Sequence, residues 1–321
     1  MIASEQMAGG SLSIPGRILA MATSSSLHLL LRRGNAGAST RRVLEALGWL
    51  IGQTAGDVGI AHSNLGGVRV DVLSPLIADP MATIVYLHGG AYVSASPRSY
   101  RRLVSHLAAI TGCRVYAVDY RLAPEHPYPA ALDDSIAVCT SLLAAESAEN
   151  LFLAGDSAGG GLALATAVRL REAGAPLPAA LVCIAPWVDL TCSGESMRTR
   201  ARRERMMSAA GLAIDARRYA NGEDLRSPFI SPLFADLSGL PPLLIQVGDD
   251  EILLDDSTRL AAMAQAAGVG VTLQVWPRLW HVWHLYAGLM PEAQAAMRSI
   301  ADFIDERVNL EGWKLRPNRH S

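Results

Sequence analysis

Short apolar runs alternate with amphipathic stretches along most of the chain. Apolar runs of strand length occur at 82–87, 114–119, 151–154, 180–185, 243–247 and 271–275. Between them, apolar residues recur with helical spacing at about 98–111, 130–147, 158–173, 257–267 and 292–308. Strands that are apolar at nearly every position are typical of parallel sheets covered by helices on both faces. The alternation predicts an α/β fold with a mainly parallel, doubly wound sheet flanked by helices.

Two segments depart from this alternation. Residues 67–73 alternate apolar and polar positions, which predicts a strand with one buried face. Residues 191–226 are too long for an ordinary connection, and they carry an arginine cluster followed by apolar residues. We expect a mostly helical cap over the carboxyl edge of the sheet, with its arginines in solvent. Apolar residues at helical spacing predict another helix over 39–55.

The resulting division of the chain has four parts. We expect a mobile leader over residues 1–15, within an N-terminal segment of leader and cap helices at 1–55. The main domain comprises 56–190 and 227–310, the cap insertion spans 191–226, and a tail covers 311–321. The 28 Lys and Arg nearly balance the 30 Asp and Glu, so charge gives no argument for nucleic acid or an anionic membrane.

No apolar run approaches the roughly 18 residues of a membrane-spanning helix, and the N-terminal run makes a poor signal peptide. We therefore expect a cytoplasmic protein without stable membrane insertion, whose partners are small molecules. The four cysteines show no C-x-x-C spacing, so neither a metal site nor a disulfide is expected.

The apolar run 151–154 leads into Gly155-Asp156-Ser157-Ala158-Gly159, a G-x-S-x-G pattern. Such a pattern predicts a sharp strand-to-helix turn that exposes the hydroxyl of Ser157. The glycines lack the Cβ atoms that would collide within so tight a turn. Ser157 is therefore the candidate nucleophile, and Asp156 is expected to stabilise the turn.

A serine hydroxyl needs a neighbouring base, normally a histidine held by a carboxylate. The run 243–247 is followed by Asp249, Asp250 and Glu251, and the run 271–275 is followed by His281 and His284. Ligands and catalytic groups of open α/β sheets lie beyond the carboxyl ends of the strands. The candidates for the acid and for the base therefore both lie beyond the carboxyl ends of predicted strands, where a catalytic site is expected.

A second requirement is a set of amides aimed at the developing oxyanion. The segment His88-Gly89-Gly90-Ala91-Tyr92 follows an apolar run and matches the HGGG loop of esterases. We predict Gly89 and Gly90 as donors, together with the amide of Ala158. Ala91 replaces the third glycine and can still offer its amide if its backbone conformation is allowed.

Three blocks carry a family resemblance: Tyr86–Tyr92 (YLHGGAY), Val118–Ala130 (VDYRLAPEHPYPA) and Gly155–Gly160 (GDSAGG). With them the chain resembles the hormone-sensitive-lipase-like microbial carboxylesterases of the α/β-hydrolase fold, over about residues 66–308. The resemblance implies hydrolysis of carboxylic esters without a metal or an organic cofactor.

The resemblance also selects the acid and the base. Family members usually carry Asp-Pro-Leu-x-Asp after the corresponding strand, and Glu251 to Asp255 occupy that frame. Glu251 is thus implied as the orienting acid, with Asp250 as the alternative, and a W-P-x-x-x-H pattern implies His281 as the base. By the same comparison His88 is structural, and Asp255 and Asp256 are expected to cap the next helix.

The remaining predictions concern the substrate and assembly. We expect Tyr92, Met206, Met207 and Trp280 to bound an apolar pocket that favours short to medium acyl chains. An amidase or lactonase with the same three residues is an alternative, and a non-catalytic small-ligand receptor is another. The resemblance further suggests a homodimer joined through the exposed edge strand 271–275.

Overall fold

A nine-stranded sheet forms the centre of the computed structural model, which describes residues 3–6, 12–21, 41–42, 45–46, 54–76, 80 and 82–308. The strands are β1 (Ala3–Gln6), β2 (Val58–Leu65), β3 (Val68–Pro75), β4 (Thr83–Leu87), β5 (Arg114–Val118), β6 (Leu151–Asp156), β7 (Ala180–Ile184), β8 (Leu243–Gly248) and β9 (Val271–Trp276). Their order across the sheet is β1-β9-β8-β7-β6-β4-β5-β3-β2.

Most neighbouring strands are parallel, as the sequence predicts. Each pair from β5 across to β9, and the β9–β1 pair, runs parallel, whereas β3 pairs antiparallel with both β5 and β2. The fold class predicted from the alternation of strands and helices is confirmed. Strand β2 was not predicted, because its central residues 61–64 are exposed and largely polar.

Helices cover both faces of the sheet. The main helices are α1 (14–21), α2 (Arg101–Thr111), α3 (Ala130–Ala145), α4 (Ala158–Glu172), α5 (Ser196–Thr199), α6 (Ala209–Ala220), α7 (Leu254–Ala266) and α8 (Pro291–Asp305), of which α5 and α6 belong to the cap insertion. Alternate side chains of β4 enter different cores: Val85 and Leu87 pack with α3, α4 and α7, whereas Ile84 and Tyr86 pack with α2 and α8. This explains why β4 is apolar at successive positions, since both of its faces are buried.

The edge of the sheet next to β9 differs from the prediction. Residues 3–6 form β1 and pair with β9 in parallel, with Ala3 opposite Thr272. The backbone of Ser13 donates to Glu292 of α8 at 2.6 Å. The expectations of a mobile leader at these positions and of an unpaired strand at 271–275 are therefore wrong. A homodimer remains a prediction, without the free edge that suggested it.

Other N-terminal and C-terminal predictions lie mainly outside the described residues. Of the helix predicted over 39–55, residues 41–42, 45–46 and 54–55 are described. Residues 41–42 and 45–46 are helical, whereas 54–55 are not, so the predicted end of the helix at 55 is wrong. The Arg41 side chain donates to the backbone oxygen of Val93 at 2.5 Å and pairs with Glu125 at 2.8 Å. The tail 311–321 is outside the described residues. Among the described helices, none combines the length and apolar composition needed to cross a bilayer.

The turn after β6 passes very close to the end of β4. A Cβ atom on Gly159 would lie 2.0 Å from the backbone oxygen of Leu87, and one on Gly155 would lie 2.3 Å from the oxygen of Gly159. Real side chains do not approach backbone atoms so closely. Glycine at both positions therefore sets how near Ser157 can lie to the loop that follows β4.

We expect Gly159→Ala to lower the thermal unfolding midpoint, because the new methyl group forces β4 and the turn apart. Overpacking of this kind costs roughly 1–3 kcal/mol. Gly270→Ala is the matched control, since a Cβ there meets nothing within 4 Å. Scanning calorimetry of both variants checks the prediction. Equal midpoints for the two variants would contradict it.

Candidate active site

Four loops meet at the carboxyl edge of the sheet, after β4, β6, β8 and β9. The strand register brings them into line: Leu87 at the end of β4 lies opposite Gly155 of β6, and Gly248 at the end of β8 lies opposite Trp276 of β9. In a parallel sheet the carboxyl ends of all strands point to the same edge. The loops that hold the predicted nucleophile, acid and base therefore share one region.

Ser157 occupies a strained turn between β6 and α4. Its backbone has φ 53° and ψ −123°, a conformation that residues other than glycine rarely adopt. The turn is held from outside, because the Ser157 amide donates to the oxygen of Ile184 at 2.8 Å and the Trp187 amide donates to the oxygen of Ser157 at 2.9 Å. This is the geometry of a nucleophile elbow.

His281 and Glu251 form a buried pair in the loops after β9 and β8, at the same edge of the sheet. The Nδ1 atom of His281 lies 2.7 Å from Oε2 of Glu251, and the side chains are 5% and 0% exposed. The other carboxylate oxygen of Glu251 accepts the amide of Gly248 at 2.6 Å. A carboxylate only accepts hydrogen bonds, so the imidazole proton lies on Nδ1 and the Nε2 lone pair is free to accept another proton.

Asp250, the alternative acid, points elsewhere. Its carboxylate lies 3.6 Å from the guanidinium of Arg203, an exposed side chain of the cap insertion. Only Glu251 of the two is in contact with His281. The longer glutamate side chain thus reaches the imidazole from a position where the family usually has aspartate.

The environment sets the proton affinities of this pair. Burial lowers the pKa of His281, but the hydrogen bond and charge of Glu251, with the charges of Glu204 and Asp156, raise it above the ordinary value overall. Burial raises the pKa of Glu251, against the lowering effect of His281. A histidine with a raised pKa is a stronger base and a more stable imidazolium.

The loop after β4 is fixed by Asp156. This buried carboxylate accepts the hydroxyls of Tyr86 and Tyr100 at 2.8 Å each and the backbone amide of Gly89 at 3.0 Å. Burial raises the pKa of Asp156 to about 6. The expected stabilising role of Asp156 agrees with these contacts. The prediction that Gly89 donates to an oxyanion is wrong in this structure, because its amide already donates to Asp156.

Three other amides at this edge are available. Among the described residues, no hydrogen-bond acceptor lies within reach of the backbone amides of Gly90, Ala91 and Ala158. Ala91 has φ 56°, a left-handed conformation that favours glycine, so the substitution of the third glycine is tolerated with backbone strain. The sequence indicates Ala91 as a candidate amide donor because it occupies the third glycine position of the HGGG pattern.

Two other histidines are held as neutral side chains. His88 stacks on Tyr120 with ring centroids 4.3 Å apart, and burial lowers its pKa to about 4. His284 contacts the side-chain oxygen of Gln246 at 2.8 Å, and burial lowers its pKa to about 3. Both histidines therefore lack the proton affinity and the carboxylate contact that His281 has.

The four predicted pocket residues differ in their surroundings. Tyr92 stacks on Tyr219 of α6 with ring centroids 3.8 Å apart. Trp280 has no exposed surface and packs among Trp276, Leu279 and neighbours, so it does not border an apolar pocket as predicted. Met207 is buried, and Met206 is half-buried between two core clusters.

Asp255 and Asp256 lie in the first turn of α7 but do not cap it, contrary to expectation. Asp255 accepts the amide of Ser196 at 2.8 Å, and Asp256 accepts the amides of Val188 and Asp189 at 2.9 Å each. These amides belong to the segment after β7 and to the cap insertion. The two carboxylates therefore connect separate loops instead of satisfying α7.

Comparison with known proteins agrees with this geometry. Residues 84–285 match the model of a family described as having the alpha/beta hydrolase fold. The chain is 48% identical over 223 residues to an acetyl-hydrolase of Streptomyces hygroscopicus, covering 69% of this chain and 75% of that protein. It is 37% identical over 266 residues to an esterase of Acinetobacter venetianus, covering 82% and 87%.

Solved structures give the same result over nearly the whole chain. The crystal structure of an esterase from the bacterial hormone-sensitive lipase family superposes with a TM-score of 0.86 at 37% identity, covering 94% of this chain and all of that one. The structure of EstE5 soaked with p-nitrophenyl butyrate gives 0.87 at 36% identity, covering 93% and 100%. The chain belongs to the α/β-hydrolase family, among its hormone-sensitive-lipase-like esterases.

Proposed function

We propose that this protein is a serine carboxylesterase that hydrolyses small esters of short to medium acyl chains through an acyl-enzyme on Ser157. The observation that carries the proposal is the buried 2.7 Å contact between His281 and Glu251, at the edge of the sheet that also carries the strained Ser157 turn. A buried imidazole with its Nδ1 proton fixed on a carboxylate is the arrangement that activates a serine hydroxyl.

The first half of the reaction forms the acyl-enzyme. Nε2 of His281 takes the hydroxyl proton while Oγ of Ser157 attacks the ester carbonyl carbon, which becomes tetrahedral with a negatively charged oxygen. The tetrahedral intermediate collapses, the carbon–oxygen bond to the alcohol breaks, and His281 gives its proton to the departing alkoxide. Glu251 stabilises the imidazolium that exists between the two proton transfers.

The second half releases the acid. Water loses a proton to His281 and attacks the acyl carbon, and collapse of the second intermediate returns the proton to Ser157. The amides of Gly90, Ala91 and Ala158 are the donors we assign to the oxyanion, in place of the set with Gly89. This assignment is supported by the observation that none of these three amides donates to another acceptor within the described residues. Such donors stabilise charge that develops only in the transition state.

Two further observations support the proposed acyl-chain preference. A relative sharing 48% of the aligned residues is named an acetyl-hydrolase. The cap insertion also brings Tyr219 onto Tyr92 directly after the candidate oxyanion loop, which limits the space there. A restricted site favours small acyl groups over long lipid chains.

We expect Ser157→Ala to abolish hydrolysis of p-nitrophenyl butyrate, because no other hydroxyl occupies the turn. Circular dichroism should show an unchanged fold, since removal of one oxygen leaves the turn's backbone contacts in place. Labelling by a fluorophosphonate should disappear in parallel. Near-normal hydrolysis by this variant would overturn the proposed mechanism.

We expect Glu251→Gln to reduce kcat by about 10⁴-fold, because an amide in this place can hold the wrong imidazole tautomer. Loss of the negative charge should also lower the pKa of His281, so the acid limb of the kcat/KM profile moves to lower pH. The matched control is Asp250→Asn, which removes the neighbouring carboxylate that contacts Arg203. A larger loss in Asp250→Asn than in Glu251→Gln would assign the acid to Asp250.

A panel of p-nitrophenyl esters tests the substrate range. We expect kcat/KM to be highest between acetate and octanoate and to fall steeply at palmitate, because the site is bounded by cap and loop side chains. Matched anilides and lactones complete the panel, with Ser157→Ala as the background. A maximum at palmitate would refute the acyl range, and a preference for anilides or lactones would refute the ester specificity.

A further inference from the structure

One acidic side chain of the cap insertion is buried in a segment whose charged neighbours are mainly basic. Glu204 is 5% exposed. Five arginines surround it in sequence: Arg198, Arg200, Arg202, Arg203 and Arg205. A charged side chain is rarely buried unless its hydrogen bonds are satisfied. The contacts of Glu204 therefore indicate what the segment around it does.

Glu204 accepts hydrogen bonds from three backbone amides. One carboxylate oxygen accepts the amides of Met206 at 2.8 Å and Met207 at 3.3 Å, within the cap insertion. The other oxygen accepts the amide of Ile252 at 3.1 Å. Ile252 directly follows Glu251, so this one side chain connects the cap to the turn that carries the candidate acid.

A second cap residue holds the same turn. We name residues 248–252 the acid turn. The hydroxyl of Ser196 donates to the backbone oxygen of Ile252 at 2.6 Å, while Glu204 accepts the amide of that residue. Both the amide and the carbonyl of Ile252 are thus bound by the cap. The position of Glu251 depends on these contacts because Ile252 is its immediate neighbour.

Several charged or titratable groups act on His281 from the elements around it. Glu251 approaches from the acid turn, Glu204 from the cap, and Asp156 from the turn after β6, and all three raise the pKa of His281. His284 lies on the same loop as His281 and is neutral. Arginines of the cap act on the neighbouring Asp250, whose pKa they lower against the raising effect of burial.

We propose that Glu204 is a positioning residue for ester hydrolysis, which fixes the acid turn so that Glu251 meets His281 and adds a second negative charge that favours the imidazolium. This inference rests on the proposed roles of Ser157, His281 and Glu251. It extends these roles, because a residue of the cap then helps to set the basicity of His281.

The test compares pH profiles of kcat/KM for p-nitrophenyl butyrate. Glutamine in place of Glu204 has a single acceptor oxygen and brings an N–H group against one of the three amides. Glu204→Gln should therefore lower kcat by about tenfold, the usual effect of removing a charged hydrogen-bond partner. Because a negative charge near His281 is lost, the acid limb should also move to lower pH.

Glu204→Asp separates the two parts of the proposal. The charge remains, but the shorter side chain cannot span from the Met206 amide to the Ile252 amide. We expect a reduced kcat with the acid limb at its wild-type pH. The matched control is Glu195→Gln, which removes a 72% exposed cap carboxylate that pairs with Arg198. This control should keep both the rate and the pH profile of the wild type.

The proposal is overturned if the acid limb of the kcat/KM profile of Glu204→Gln coincides with that of the wild type, whatever the value of kcat. A purely structural contact would leave that limb at its wild-type pH. If Glu204→Gln fails to fold, as judged by circular dichroism, Glu204→Asp decides: wild-type kcat overturns the proposal, and reduced kcat with an unmoved limb supports it. Activity in Ser157→Ala would instead overturn the proposed function itself, so the two failures are distinguishable.

Discussion

The hydrogen bond between His281 and Glu251 is the interaction on which the site depends. A buried imidazole alone would have a depressed pKa and would be a poor base, as His88 and His284 show in the same molecule. The difference at His281 is a carboxylate 2.7 Å away that is itself fully buried. Burial raises the energetic cost of both charges, so the pair is useful only if the backbone holds the partners in contact.

That requirement explains why adjacent strands supply the two partners. Glu251 follows β8 and His281 follows β9, and the parallel register of these strands fixes where each loop begins. Gly248 contributes further, because a Cβ there would lie 2.2 Å from the backbone oxygen of Leu279. The acid turn and the histidine loop therefore contact each other through backbone atoms, which leaves little freedom to separate the side chains.

Local sequence patterns predicted strands β3 to β9 and the turn at Ser157, whereas Glu251 and His281 were selected from several candidates by the family resemblance. Runs buried on two faces are apolar at successive positions, and the turn around Ser157 needs glycines at fixed places. Strand β2 was missed because it is an antiparallel strand at the edge of the sheet, and its exposed polar residues give no apolar pattern. The start of α7 was predicted at 257, three residues after its observed start at Leu254.

Errors about individual side chains have a different cause. The pattern around Gly89 shows that the loop offers amides, but it does not show that Asp156, distant in sequence, already accepts one of them. The burial of Glu204 was not predicted, for a similar reason. In an arginine-rich segment a glutamate resembles one more surface charge, and its burial is set by contacts with the acid turn. The periodicity of apolar residues shows which face of a helix or strand is buried. The roles of Asp156 and Glu204 depend instead on which loop lies against each side chain in the folded protein.

Buried carboxylates are the common means by which the loops at this edge are joined. Asp156 binds Gly89 in the loop after β4, Glu204 binds Ile252 in the acid turn, and Asp256 binds two amides that follow β7. Loops that leave a parallel sheet have amides without ladder partners, and a carboxylate can satisfy several of them at once. An arginine partner would be bulkier and could not accept from an amide. Two of these carboxylates, Asp156 and Glu204, also raise the pKa of His281. The stability of this edge and the basicity of His281 therefore have a shared physical origin.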